Sequence, residues 1–81
     1  MTFSLLVFAI DREIFVGKAE SVSVPGADGE LQILAGHAPL IVKLKDGDVI
    51  IKSEKGMEKR LPISGGVLEV KEKKVVVLVN F

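Results

Sequence analysis

The sequence offers few side chains that could carry out chemistry. Its single histidine is His37 and it has no cysteine, so neither a Cys–His pair nor a histidine cluster can form. A Ser–His–Asp arrangement of His37 with Ser64 and Asp46 is arithmetically possible, but no Gly-x-Ser-x-Gly elbow surrounds the serine. We therefore expect His37 to be a loop residue that forms hydrogen bonds or packs at an interface.

The charged side chains have simpler explanations than ligand binding. Most of the 11 carboxylates fall in predicted turns or alternate with apolar residues, as on a solvated sheet face. Asp46-Gly47-Asp48 lacks the later ligands of a calcium loop. The glycine-rich run Pro25–Gly29 leads into a strand rather than a helix, so the usual phosphate-binding geometry is missing. Lys71, Lys73 and Lys74 are expected to form a solubilising hairpin tip.

Composition narrows the class of protein further. The 81 residues suffice for one domain, and 48% of them are apolar, mostly valine, isoleucine and leucine. The formal net charge is zero, whereas a nucleic-acid-binding domain usually carries an excess of basic residues. No apolar run approaches the roughly 20 residues that span a bilayer, so direct membrane insertion is not expected.

Short apolar segments separated by turn residues predict an all-β fold. About nine to ten short strands recur at roughly 8–12-residue spacing, which is typical of a sandwich or barrel. No long window keeps a helical period. We expect one antiparallel β-sandwich or flattened barrel over residues 1–81. Its first strand, Phe3–Ile10, is apolar on both faces, as in a strand that is covered on both sides.

One loop carries less charge than a surface loop usually does. Gly36–Ile41 contains small and apolar residues and is stiffened by Pro39. Such a loop suggests a contact with another protein. The alternative, a loop that tucks over the end of the sandwich core, has equal weight on these residues alone.

Three motifs resemble a known family, the epsilon subunit of ATP synthase, which is called delta in mitochondria. The run Gly29–Leu40 reads GELQILAGHAPL, where the family typically reads G-E-L/F-G-I-L/Y-x-G-H-A-P-L. Ser64–Val70 followed by Val75–Leu78 is a second match at the family's spacing. The third is Phe15-x-Gly17, followed by an apolar pair. Together the motifs cover nearly the whole chain.

Two departures from the family accompany the resemblance. Gln32 stands where the family usually has glycine, which should alter local backbone freedom without changing the fold. Most members continue into a two-helix C-terminal domain, whereas this sequence stops at Phe81. We therefore expect a single β-sandwich domain, residues 1–81, without the helical hairpin.

The resemblance implies a non-catalytic role in the rotor of an ion-translocating ATP synthase. The domain would lie at the foot of the central stalk, dock on the gamma subunit and the c-subunit ring, and help to couple ring rotation to ATP synthesis on other subunits. No cofactor or metal is implied. For a bacterial source, the resemblance implies a peripheral position on the cytoplasmic face of the cell membrane, within the complete ATP synthase.

The resemblance also assigns residues to both partners. Those expected to face the gamma subunit are Ala9, Gly36, His37, Ala38, Pro39, Leu40 and Val42. Asp28 and Glu30 are expected to face the polar loops of the c subunits, which carry a basic residue.

Two other classes of function remain open on the residues. A generic β-sandwich module that binds a carbohydrate or small ligand would favour exposed aromatic rings, but tryptophan and tyrosine are absent and the four phenylalanines lie within or at the ends of predicted strands. A small hydrolase would need a catalytic constellation that the sequence does not supply.

Overall fold

Alternation of apolar and polar residues organises the chain into strands throughout, in a computed structural model that describes residues 1–81. The strands are β1 (Phe3–Ala9), β2 (Arg12–Gly26), β3 (Gly29–Leu34), β4 (Leu40–Leu44), β5 (Gly47–Ser53), β6 (Glu58–Ile63), β7 (Gly65–Val70) and β8 (Lys74–Asn80). The all-β prediction is confirmed. The strands number eight rather than nine to ten, and one of them, β2, is long and runs unbroken through Gly17.

β2 is long enough, at 15 residues, to belong to two layers. Its first half pairs with β1, and its second half pairs with β3 on the same edge and with β5 on the other. The register with β5 shifts between Ala19 and Ser21. Such a bulge bends a strand and increases its twist, so β2 passes from one layer into the other at this point.

The two layers form the expected sandwich. One contains the first half of β2 followed by β1, β8, β7 and β4, and the other contains β3, the second half of β2, β5 and β6. We call them the five-stranded and the four-stranded layer. All pairings are antiparallel except that of β1 with β8. This parallel pair brings the first and last strands of the chain side by side.

The core between the layers holds the fold together. It consists of 16 buried apolar residues, which include Leu5, Ile33, Ile51 and Leu68. Each fully buried side chain of this kind contributes roughly 1.5–3 kcal/mol. The three ion pairs lie on the surface, where such pairs contribute only about 0–1 kcal/mol each. No helix in the chain is long and apolar enough to cross a membrane.

Gly66 lies where the backbones of β7 and β8 approach most closely. Its φ of 151° is one that residues with a side chain rarely adopt, and a Cβ there would overlap the carbonyl oxygen of Leu78 and lie 3.1 Å from Cα of Val79. Neither backbone atom can move without disturbing the β7–β8 ladder. The second glycine of the Ser64-Gly65-Gly66 motif is therefore a steric requirement of the pairing.

We predict that Gly66→Ala lowers the free energy of unfolding by about 1–3 kcal/mol or more. The matched control is Gly65→Ala, because a Cβ on Gly65 meets only the Leu44 carbonyl oxygen at an ordinary 3.6 Å. Chemical denaturation of both variants measures the difference. Equal stability of the two variants would contradict the steric explanation.

Candidate docking surfaces

The only histidine does not meet the residues that could make it catalytic. His37 lies before β4, while Asp46 and Ser64 lie beyond the other end of that strand. Five residues of extended chain span roughly 17 Å, so His37, Asp46 and Ser64 are too far apart to form a catalytic triad. No group of three or more His, Asp and Glu side chains lies close enough together to hold a metal ion.

The loop that precedes β4 is partly packed and partly exposed. Gly36 adopts a φ of 83°, and the amide of His37 donates a hydrogen bond to the Leu34 carbonyl, at 3.2 Å. The ring of His37 donates through Nδ1 to the Ala38 carbonyl oxygen, 2.8 Å away. Ala38 and Pro39 are exposed, whereas Leu40 packs against the core. The loop therefore packs over the core through Leu40 and leaves Ala38 and Pro39 accessible, so its contact with another protein stays a prediction.

A cleft of about 480 Å³ runs along one side of the sandwich, between β3 and β4. It is lined by Gly26–Leu31 on one bank and Leu40–Lys43 on the other. Asp28 and Glu30, which the resemblance assigns to the c-subunit ring, therefore line the same cleft as two residues assigned to the gamma subunit. These two residues are Leu40 and Val42. Val42 turns its half-buried side chain towards the core.

Ala9 does not join these residues. Ala9 is the last residue of β1, whereas the loop before β4 lies beside Phe3, the first residue of β1. The loop and Phe3 line a second cleft together. The side chain of Ala9 is buried in the core, with 7% exposed. This separation could not be predicted from the sequence, because the direction of β1 relative to β4 depends on the intervening strands β8 and β7.

The outer surface of the five-stranded layer is apolar across all of its strands. Burial of alternate residues turns the others outwards, and pairing aligns those in the middle of the layer in two rows. One row is Ile41, Glu69, Val76, Leu6 and Val16, and the other is Lys43, Val67, Leu78, Phe8 and Glu13. Seven of these ten residues are apolar, and Ile41 and Val16 are 70% and 58% exposed. We call the seven the apolar face.

The outer surface of the four-stranded layer is different. Its outward residues are mostly polar, charged or small: Ser23, Gln32, Ile50, Lys52, Glu58 and Arg60. Only one layer therefore presents a surface of the kind that marks protein contacts. The sequence predicted a β1 covered on both sides, whereas in the structure only the face with Leu5 and Val7 is fully buried and the other is half-buried.

The two ends of the sandwich differ in charge. The end that carries the β1–β2 and β2–β3 turns holds most of the acidic residues: Asp11, Glu13, Asp28, Glu30, Asp46 and Asp48, together with the basic Arg12, Lys43 and Lys45. At the opposite end, Lys18, Lys71, Lys73 and Lys74 surround a cleft of about 260 Å³ beside His37, with Glu72 as its one carboxylate. The predicted hairpin cluster is thus part of a wider basic surface.

Solved structures with the same fold come from ATP synthases. A chain of the Euglena gracilis mitochondrial ATP synthase, in the cryo-EM structure of OSCP/F1/c-ring in rotational state 1, superposes with a TM-score of 0.90 at 24% identity, covering 96% of this chain and 50% of that one. A chain of the Tetrahymena thermophila mitochondrial ATP synthase, in the central stalk/c-ring structure, gives 0.81 at 12% identity, covering 100% and 65%. The chain thus spans about half to two thirds of these matched chains.

A family model identifies the domain itself. The model of the ATP synthase, Delta/Epsilon chain, beta-sandwich domain matches residues 2–81, which include all eight strands, the loop before β4 and the Ser64-Gly65-Gly66 motif. The chain therefore belongs to the family of ATP synthase delta/epsilon β-sandwich domains.

Proposed function

We propose that this chain is a non-catalytic subunit of the rotor of an ion-translocating ATP synthase. It docks on the gamma subunit and on the ring of c subunits, and it helps to couple rotation of the ring to ATP synthesis on other subunits. The observation that carries this proposal is the family match over residues 2–81. In a bacterial cell the domain lies on the cytoplasmic side of the cell membrane as a peripheral part of the complex.

The loop before β4 and the apolar face together suit the gamma subunit. A stable interface buries about 800 Å² per partner, which the exposed loop residues Ala38 and Pro39 are too few to provide. The apolar face begins beside the loop at Ile41 and continues across five strands. We assign gamma to this continuous surface, with Gly36–Leu40 at its edge. Ala9 supports the surface from the core and does not contact the partner.

The acidic end suits a ring of identical basic loops. Asp28 and Glu30 are both exposed in and beside the β2–β3 turn and form no ion pair within the chain. Each charge pair with a c subunit would be weak, but a ring repeats its loops. Complementary charge of this kind orients partners and speeds association more than it adds affinity.

The competing ligand-binding function has less support from the structure. Phe3 and Phe15 pack against the core and Phe8 is half-buried within the apolar face. None of these rings is a free platform for stacking on a sugar. Phe81 is exposed, but its ring is covered by the guanidinium of Arg12, 4.7 Å from the centroid.

We predict that Ala38→Asp weakens binding to purified gamma subunit by more than about 100-fold, because an unpaired charge in a dry contact costs about 3 kcal/mol or more. The chain should keep its stability, since Ala38 is exposed in the free domain. Titration calorimetry measures the affinity. Met57→Asp in the exposed β5–β6 turn adds the same charge and should bind normally. If a folded Ala38→Asp chain binds as tightly as the original, gamma does not contact this loop.

We predict that Glu30→Lys leaves the stability of the free domain unchanged but weakens ATP-driven ion pumping by the reconstituted synthase. Pairs at exposed sites are worth about 0.2–1 kcal/mol each, so the effect should be about two- to fivefold. It should be largest at low salt, because salt screens exposed charges. Glu58→Lys, an equal charge reversal on the polar outer surface of β6, is the control. Equal pumping by both variants across the salt series would leave Glu30 without a role in coupling.

A further inference from the structure

The two banks of the cleft between β3 and β4 are open strand edges. β3 pairs only with β2, and β4 pairs with β7 along its length but with β2 only where Leu44 meets Gly26. An open edge presents unpaired N–H and C=O groups that another strand can bond. Residues of both strands line the cleft, and the unpaired groups of β4 face into it.

The backbone groups that point into the cleft can be identified from the pairing. The Lys43 carbonyl accepts a hydrogen bond from the Ala27 amide at 2.8 Å, so Lys43 faces away from β7. Because alternate residues of a strand bond to opposite sides, Ile41 also faces away from β7, while Leu40 and Val42 bond to it. The Ile41 N–H, the Ile41 C=O and the Lys43 N–H therefore point into the cleft without a partner in the chain.

The opposite bank has the same character. The Pro25 carbonyl accepts from the Lys45 amide, so Pro25 and its register partner Glu30 form a pair without mutual hydrogen bonds. The backbone groups of Glu30 consequently point away from β2, at the outer edge of β3. Between the banks, Leu31, Leu40 and Val42 form an apolar floor that continues the core.

The third open edge, on β6, shows what a protected edge looks like in this chain. Glu58, Lys59 and Arg60 are charged and exposed, and Pro62 occupies a position whose N–H would face the open side. Charge and proline on an edge strand prevent pairing with other chains. β4 contains no proline, and its only charged residue is Lys43, which lies at the end of the strand that meets β2. The edge of β4 is therefore open to pairing where that of β6 is blocked.

We propose that the gamma subunit docks by adding an extended segment to the open edge of β4, inside the cleft between β3 and β4. The segment hydrogen-bonds to Ile41 and Lys43 and turns alternate apolar side chains onto the floor of Leu31, Leu40 and Val42. This inference rests on the proposed function and specifies how the same partner is held. Continuity favours gamma as the occupant, since the edge begins at the loop and its Ile41 side chain belongs to the apolar face.

The test is amide hydrogen exchange of the isotopically labelled chain, measured by NMR with and without purified gamma subunit. Strand addition should slow exchange at Ile41 and Lys43 by at least about tenfold. Leu40 and Val42, already bonded to β7, should be protected in both states. The Arg60 amide faces the blocked edge of β6 and should exchange rapidly in both states, which makes it the internal control.

Two variants separate backbone pairing from side-chain contact. Ile41→Pro removes one cleft-facing N–H without removing a bond to β7, whereas Ile41→Ala keeps that N–H and removes the side chain. Strand addition predicts that the proline variant loses more affinity for gamma than the alanine variant. If the proline variant does not fold, the exchange pattern of the original chain still decides the question.

The outcomes distinguish this inference from the function on which it rests. Binding of gamma with unchanged exchange at Ile41 and Lys43 overturns strand addition and leaves the rotor function standing. Failure of gamma to bind at all overturns both. Protection of Ile41 and Lys43 in the chain alone, together with a dimer in sedimentation, assigns the edge to a second copy of this chain and also overturns the proposal.

Discussion

The whole structure depends on the continuity of β2 across both layers. No other strand belongs to both, and it bonds to β1, β3, β5 and the end of β4. Its inward residues Ala19, Val22 and Val24 are completely buried, so the bend at Ser21 lies over the centre of the core. A load applied to one layer passes to the other through a covalent strand as well as through side-chain packing. Close-packed interiors transmit strain because they compress little, which suits the coupling role proposed for this chain.

This architecture leaves the surface free to differ from side to side. The core is built only from the side chains that point between the two layers, and it contains 16 buried residues. The outward rows of the five-stranded layer are apolar although the fold does not require them to be. Water around exposed apolar side chains is unfavourable unless a partner covers them. Residues such as Ile41 and Val16 are therefore best explained by something outside the domain.

Much of this arrangement follows from the sequence and some of it does not. Period-two alternation predicts the all-β fold correctly, and the turn predicted at Pro25–Gly29 separates β2 from β3. The position of Ala9 was not accessible, because it depends on long-range pairing: β1 and β8 lie parallel although they are the first and last strands. The apolar face was predicted only in part: the sequence showed that both sides of β1 are apolar and suggested that both are covered, but the domain itself fully buries only one of them. The cleft could not be predicted from the sequence, because a strand edge is open only when no other strand of the fold pairs with it.

The position of the cleft suggests how so small a domain could contact both of the partners proposed for it. The domain measures 29 × 23 × 20 Å, so no two points on its surface are far apart. The cleft runs along β3 and β4 from the basic end, where the loop with Ala38 lies, to the acidic end, where Asp28 and Glu30 lie. A partner held along the cleft would leave the acidic turn exposed at its end. Hydrogen bonding and apolar burial along β4 would then fix one partner firmly, while weak, repeated charge pairs at the acidic turn would align the other.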